Sequence, residues 1–135
     1  VISLSAFAHP SEMMRRFLAE KRVPYPVIGW YVMHHVQRVI GATFEEIAPL
    51  ATLPRVRCPV LLVHGRSDTT VPVDDARRLL ATCAHARLML VDGGHDLRDG
   101  LAVHGAELVE FLHSACATFQ VWPPANRSGL VRQNV

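Results

Sequence analysis

Residues 59–72 read Pro-Val-Leu-Leu-Val-His-Gly-Arg-Ser-Asp-Thr-Thr-Val-Pro, and this stretch limits what the chain can fold into more than any other. The apolar run Val60-Leu61-Leu62-Val63 is short and β-branched at both ends, and Gly65 follows it closely. Such a run suits a strand buried on both faces, as in a parallel sheet covered by helices. Gly65 lets the backbone turn at the carboxyl end of that strand. Asp68 then falls on a loop of small polar residues before Val71-Pro72 leads into a helical pattern. Ligands and catalytic groups of open α/β sheets collect outside the carboxyl ends of their strands, so Asp68 is placed to act on a substrate or on another side chain. Aspartates in turns also tie loops down by accepting backbone N–H groups. From this loop alone both readings stand.

A second loop has the same design. Residues 87–96, Arg-Leu-Met-Leu-Val-Asp-Gly-Gly-His-Asp, form another short apolar run that ends in glycine and a charged tip. His95 lies 27 residues after Asp68, with a helical pattern over 74–84 between them. Two neighbouring parallel strands joined by one crossover helix put both loops on one edge of the sheet. There an Asp and a His can form an acid–imidazole pair, in which the carboxylate orients the ring and stabilises the imidazolium when the other nitrogen takes a proton.

The two motifs together, His-Gly-Arg-Ser-Asp-Thr-Thr-Val-Pro and Gly-Gly-His-Asp, resemble the last part of an α/β-hydrolase. The similarity covers roughly residues 1–113, and within the superfamily it is greatest to the esterase and acylaminoacyl-peptidase-like serine hydrolases. That superfamily orders its triad as nucleophile, acid, histidine. The resemblance implies that Asp68 is the acid after the seventh strand and His95 the histidine after the eighth. The nucleophile elbow, Gly-x-Ser-x-Gly, is absent: Ser3, Ser5, Ser11, Ser67, Ser114 and Ser128 all lie outside such a motif. In the family the elbow precedes the sixth strand, where this sequence begins, and the first residue is Val1 rather than methionine. The expectation is the C-terminal half of a hydrolase, with two triad members and the third elsewhere. By the same resemblance the fold class is α/β, with three parallel strands, flanking helices and a helical cap segment. The strands near 1–7, 59–64 and 87–91 should follow in that spatial order.

Composition excludes several classes. Half the residues are hydrophobic and 19% are charged, which is globular rather than disordered. The net charge is +2, with 14 basic residues against 12 acidic ones, so no nucleic-acid partner is expected. No apolar run approaches the ~20 residues that cross a bilayer, and no membrane partner is expected either. His9, His34, His35, His64, His85, His104 and His113 show no paired ligand spacing, and no metal is expected. Cys58, Cys83 and Cys116 are an odd number without framework spacing, which points to reduced thiols and, with no signal peptide, to the cytoplasm. Serine hydrolysis needs no cofactor, and none is implied.

In chain order, Val1 to Phe7 reads as a strand, the sixth by the resemblance. Its carboxyl end delivers Phe7, Ala8 and His9 to the edge that holds Asp68 and His95. His9 before Pro10 reads first as the residue that opens a helix. That helix, 10–20, has Met13, Met14, Phe17 and Leu18 on one face. Prolines at 24 and 26 break it. A second helical pattern carries Ile28, Val32, His35, Val36 and Val39 and stops at Gly41. A short turn spans 44–50. In the family, helices between the sixth and seventh strands often cap the active site. Residues 10–54 match that place, so Trp30, Tyr31 and Met33, with Phe7, are candidates to line an acyl or side-chain pocket; aromatic residues at helical spacing also serve as simple packing.

The helix over 74–84 should bury Ala76, Leu79, Leu80 and Cys83, while Asp74 and Asp75 complement its positive end. A last helix over 97–113 should bury Leu97, Leu101, Leu108, Phe111 and Leu112. Residues 114–135 read as a disordered tail.

Three functions are consistent with these residues. The first is a serine hydrolase part that acts on a small ester, thioester or peptide-like acyl bond, with His95 as base and Asp68 as its orienting acid. The second is a non-catalytic binding module of hydrolase ancestry. The third, a metal-dependent phosphohydrolase, would use His64, Asp68, His95 and Asp96. Oligomeric state is left open.

Overall fold

The computed structural model describes residues 1–119. Three strands, β1 (Ile2–Leu4), β2 (Val60–Gly65) and β3 (Ala86–Val91), form one parallel sheet in the order β1-β2-β3. The expected strand order is therefore borne out, with the 59–64 run at the centre. The pairing sets Leu61 beside Ile2 and Arg87, and Val63 beside Leu4 and Met89. Only the middle of the expected 1–7 strand is extended in the sheet, because Ser5 turns the chain at φ 44°.

Strand alternation divides the core in two. Leu61, Val63, Met89 and Val91 face one side, against Leu97, Leu101, Leu108 and Phe111. Val60 and Leu62 face the other, against Leu79, Cys83, Leu50, Leu53 and Val56. All six residues of β2 are buried, as a strand covered on both faces must be. Each fully buried Val or Leu contributes about 1.5–3 kcal/mol relative to exposure, so β2 is the energetic centre of the fold.

Between β1 and β2 lie α1 (Pro10–Glu20), a π-helical turn (Tyr25–Gly29), α2 (Trp30–Ile40), α3 (Phe44–Ile47) and α4 (Pro49–Thr52), then a 3-10 turn over Leu53–Arg55. His9 caps α1, its Nδ1 accepting the Ser11 N–H at 3.2 Å. Gly41 ends α2 at φ 76°, a left-handed conformation open to glycine. The buried side of α2 is not the expected stripe. Met33 is the buried side chain, while Ile28, His35 and Val39 are exposed. Ile28 lies in the π-helical turn, outside the helix, and within α2 the covered side runs through Val32, Met33, Val36 and Gln37.

Helix α5 (Val73–Thr82) joins β2 to β3 and buries Ala76 and Leu79 as expected, with Cys83 just beyond its end. Asp75 has a larger task than complementing the helix end. It is 2% exposed and accepts the Ala8 N–H at 3.2 Å and two Arg16 N–H groups at 3.2 and 3.3 Å. One carboxylate thus ties α5 to α1 and to the chain leaving β1. The expected last helix is two helices, α6 (Arg98–Val103) and α7 (Gly105–Phe119). A tight His104 N–H to Leu101 carbonyl bond closes the first, and Gly105, a weak helix former, opens the second. Leu112 is 45% exposed rather than buried. Residues 114–119 are helical, which corrects the start of the expected tail; residues 120–135 lie outside the described residues.

Candidate active site

Two loops leave the carboxyl ends of β2 and β3 and are laced together by backbone. Arg66 N–H donates to the Val91 carbonyl at 2.9 Å, and Ser67 N–H to the Gly93 carbonyl at 3.0 Å. The loops touch at Gly65, where a Cβ would lie 2.2 Å from the Gly94 carbonyl oxygen and 2.6 Å from that of Gly93. No side chain fits there. Gly65 is therefore required by close approach, and that approach brings Asp68 and His95 together.

Asp68 and His95 meet at 2.9 Å, between Oδ2 and Nδ1. The Asp68 side chain is fully buried, whereas that of His95 is 49% exposed. Asp68 Oδ1 accepts the N–H groups of Thr70 at 2.9 Å and Val71 at 2.8 Å. Asp68 thus ties its own loop down through one oxygen and meets His95 through the other. Burial pushes the Asp68 carboxyl up, but the Val71 N–H, the His95 ring and the Thr70 N–H outweigh it and hold its pKa below the ordinary value. Asp68 is therefore ionised at neutral pH and can only accept, so His95 Nδ1 must donate. In the neutral ring the lone pair is then on Nε2, which has no hydrogen-bond partner among the described residues. An imidazole held in that tautomer can take a proton from a nucleophile placed at Nε2.

His64 lies behind the pair, 1% exposed, with Nε2 donating to the Val71 carbonyl at 2.8 Å and 3.6 Å from Asp68 Oδ2. It supports the acid loop, a role that the sequence did not indicate; the signal was a polar residue inside a strand buried on both faces. Asp96 turns away to Arg98, whose guanidinium and backbone N–H bring its carboxyl down to about 2. Among the described residues no group of three or more His, Cys, Asp or Glu is arranged to hold a metal ion. His64 and His95 both approach Asp68, but Asp96 does not join them, so the four residues of the phosphohydrolase reading do not form one set.

A groove of about 290 Å³ runs beside His95, lined by Leu4, Ser5, Asp96, Leu97, Arg98 and Leu101. Ser5 has its Oγ buried without a partner among the described residues. The four pocket candidates from sequence do not line this groove. Phe7 is half-buried on the chain leaving β1, Met33 is buried in α2, and Trp30 and Tyr31 are 61% and 64% exposed.

The family model for serine hydrolase (FSH1) matches residues 1–97, which spans β1, β2, β3 and both loops. No curated protein matches the chain. The match extends over well over half of the 135 residues, so the chain belongs to the serine hydrolase (FSH1) family.

Proposed function

We propose that Asp68 and His95 are the acid and base of a Ser-His-Asp triad that cleaves a small ester, thioester or peptide-like acyl bond. The observation that carries this reading is the 2.9 Å Asp68–His95 bond, with an ionised acid that keeps the Nε2 lone pair free. In the proposed reaction a serine from outside residues 1–135 attacks the acyl carbonyl. His95 Nε2 takes its proton and returns it to the leaving group, and Asp68 holds the ring and stabilises the imidazolium. Backbone N–H groups beside that serine supply the oxyanion hole.

The test compares p-nitrophenyl acetate hydrolysis by the 135-residue chain, by its His95→Ala variant, and by the chain extended with the coding sequence preceding Val1. The expected result is no difference between the first two. The extended form should turn over and be labelled by a fluorophosphonate, and His95→Ala within it should lose at least ~10³-fold in rate. Turnover by the short chain well above its control, blocked by fluorophosphonate, would place the nucleophile inside these residues, with Ser5 and Ser67 examined first. An extended form that is neither labelled nor active would leave the binding-module reading in its place.

A further inference from the structure

Helix α2 presents Trp30, Tyr31, His34, His35 and Arg38 on one side, opposite Met33 and Val36, by the 100° step of an α-helix. Trp30 and Tyr31 are among the most exposed large hydrophobic residues described, and Val39 (72%), beside His35 on the helix, and Ile28 (49%), in the turn before it, are exposed as well. Each aromatic ring lies against a histidine one turn on, Trp30 on His34 at 5.5 Å and Tyr31 on His35 at 6.0 Å. The stacks hold the rings in place on the surface.

Charge is uneven in the same part of the chain. Residues 15–41 hold five of the 14 basic residues and one of the 12 acidic ones, Glu20; Arg16 is taken up by Asp75 and Glu12, which leaves Arg15, Lys21, Arg22 and Arg38 for the surface. The remainder of the chain is net acidic. Lys21 lies over the exposed Phe17 ring at 5.8 Å, and Arg15 over the Tyr25 ring at 5.0 Å, so cationic heads sit over aromatic bodies. Helix α2 itself carries no carboxylate.

We propose that this face, α2 with the π-helical turn and the end of α1, docks onto an anionic lipid surface. Exposed Trp and Tyr sit at the depth of lipid headgroups because they are amphipathic. The aliphatic side chains beside them enter the acyl boundary, and the surrounding Lys and Arg meet anionic headgroups. An acidic peptide is the less favoured occupant, because the exposed side chains that lead this face are aromatic and aliphatic and α2 itself contributes a single cation, Arg38. The expectation of no membrane partner rested on the lack of a spanning run, and no helix among the described residues is long and apolar enough to cross a bilayer. Docking on the surface needs no such run. The proposal is independent of the assignment of Asp68 and His95.

The experiment is co-sedimentation of the full chain with vesicles of phosphatidylcholine alone or with about a third phosphatidylserine, at about 0.05 and 0.3 M salt. The expected result is binding to the anionic vesicles that weakens at high salt. Trp30→Ala/Tyr31→Ala and, separately, Arg38→Glu should each weaken it about tenfold while circular dichroism is unchanged. The substituted side chains are exposed, so folding is not the issue. Equal binding to both vesicle types, or binding that the aromatic pair does not affect, would overturn the proposal. So would retention on polyglutamate with no vesicle binding, which would assign the face to an acidic protein partner.

Discussion

Replacing Asp68 separates its two functions, because each oxygen has its own partners. In Asp68→Ala three donors lose their acceptor. Thr70 is exposed and its N–H can turn to water, and the half-exposed His95 ring can do the same. Val71 is 1% exposed, so its N–H is stranded. One buried unsatisfied donor costs about 1–3 kcal/mol, and that is the expected loss of stability. In Asp68→Asn the amide oxygen can keep both backbone N–H groups, so the loss should stay within about 1 kcal/mol. The amide nitrogen then faces His95 Nδ1, which must accept. The ring proton moves to Nε2, and the base nitrogen is blocked. The assays are urea unfolding of both variants and long-range ¹⁵N–¹H correlation of the imidazoles at mildly alkaline pH. His95→Gln assigns the signal. The wild type should show a proton on Nδ1 and Asp68→Asn a proton on Nε2. The same tautomer in both proteins would refute the argument, as would equal destabilisation by Ala and Asn.

Gly65→Ala should cost about 1–3 kcal/mol as an overpacking substitution and abolish the His95 Nδ1–H signal, because the new methyl forces the Gly94 carbonyl and its loop away. Acid should reveal the lowered pKa of Asp68. The stabilisation is fully present above the unfolded value near 3.8 and is lost as pH falls through the lower folded value. The urea midpoint difference between wild type and Asp68→Asn should accordingly shrink as pH falls below about 3.8; a difference that grows below that pH would show the opposite shift. Arg16→Ala should cost about 1–2 kcal/mol by leaving the buried Asp75 carboxylate with weaker partners, whereas loss of the exposed Arg77–Asp74 pair should change the thermal midpoint little.

Sequence alone determined the sheet and the acid–histidine pair, because both rest on local chemistry. Val60-Leu61-Leu62-Val63 can hardly be anything but a doubly covered strand, and the crossover between Asp68 and His95 is the length of one helix. The same topology that orders β1-β2-β3 puts both loops on one edge. What the sequence left open depends on contacts between distant residues. The division of Asp68 between its own loop and His95 follows from how closely Gly65 lets the β3 loop approach. The burial of Asp75 depends on Arg16, 59 residues away, and the support given by His64 depends on where the Val71 carbonyl turns. In α2 the covered side runs through Val32, Met33, Val36 and Gln37 and leaves His35 and Val39 in solvent, a choice between adjacent rows that apolar spacing alone does not make. Local propensity sets which residues can form a strand, a turn or a helix; only packing decides which side of that helix meets the core and which stands in solvent.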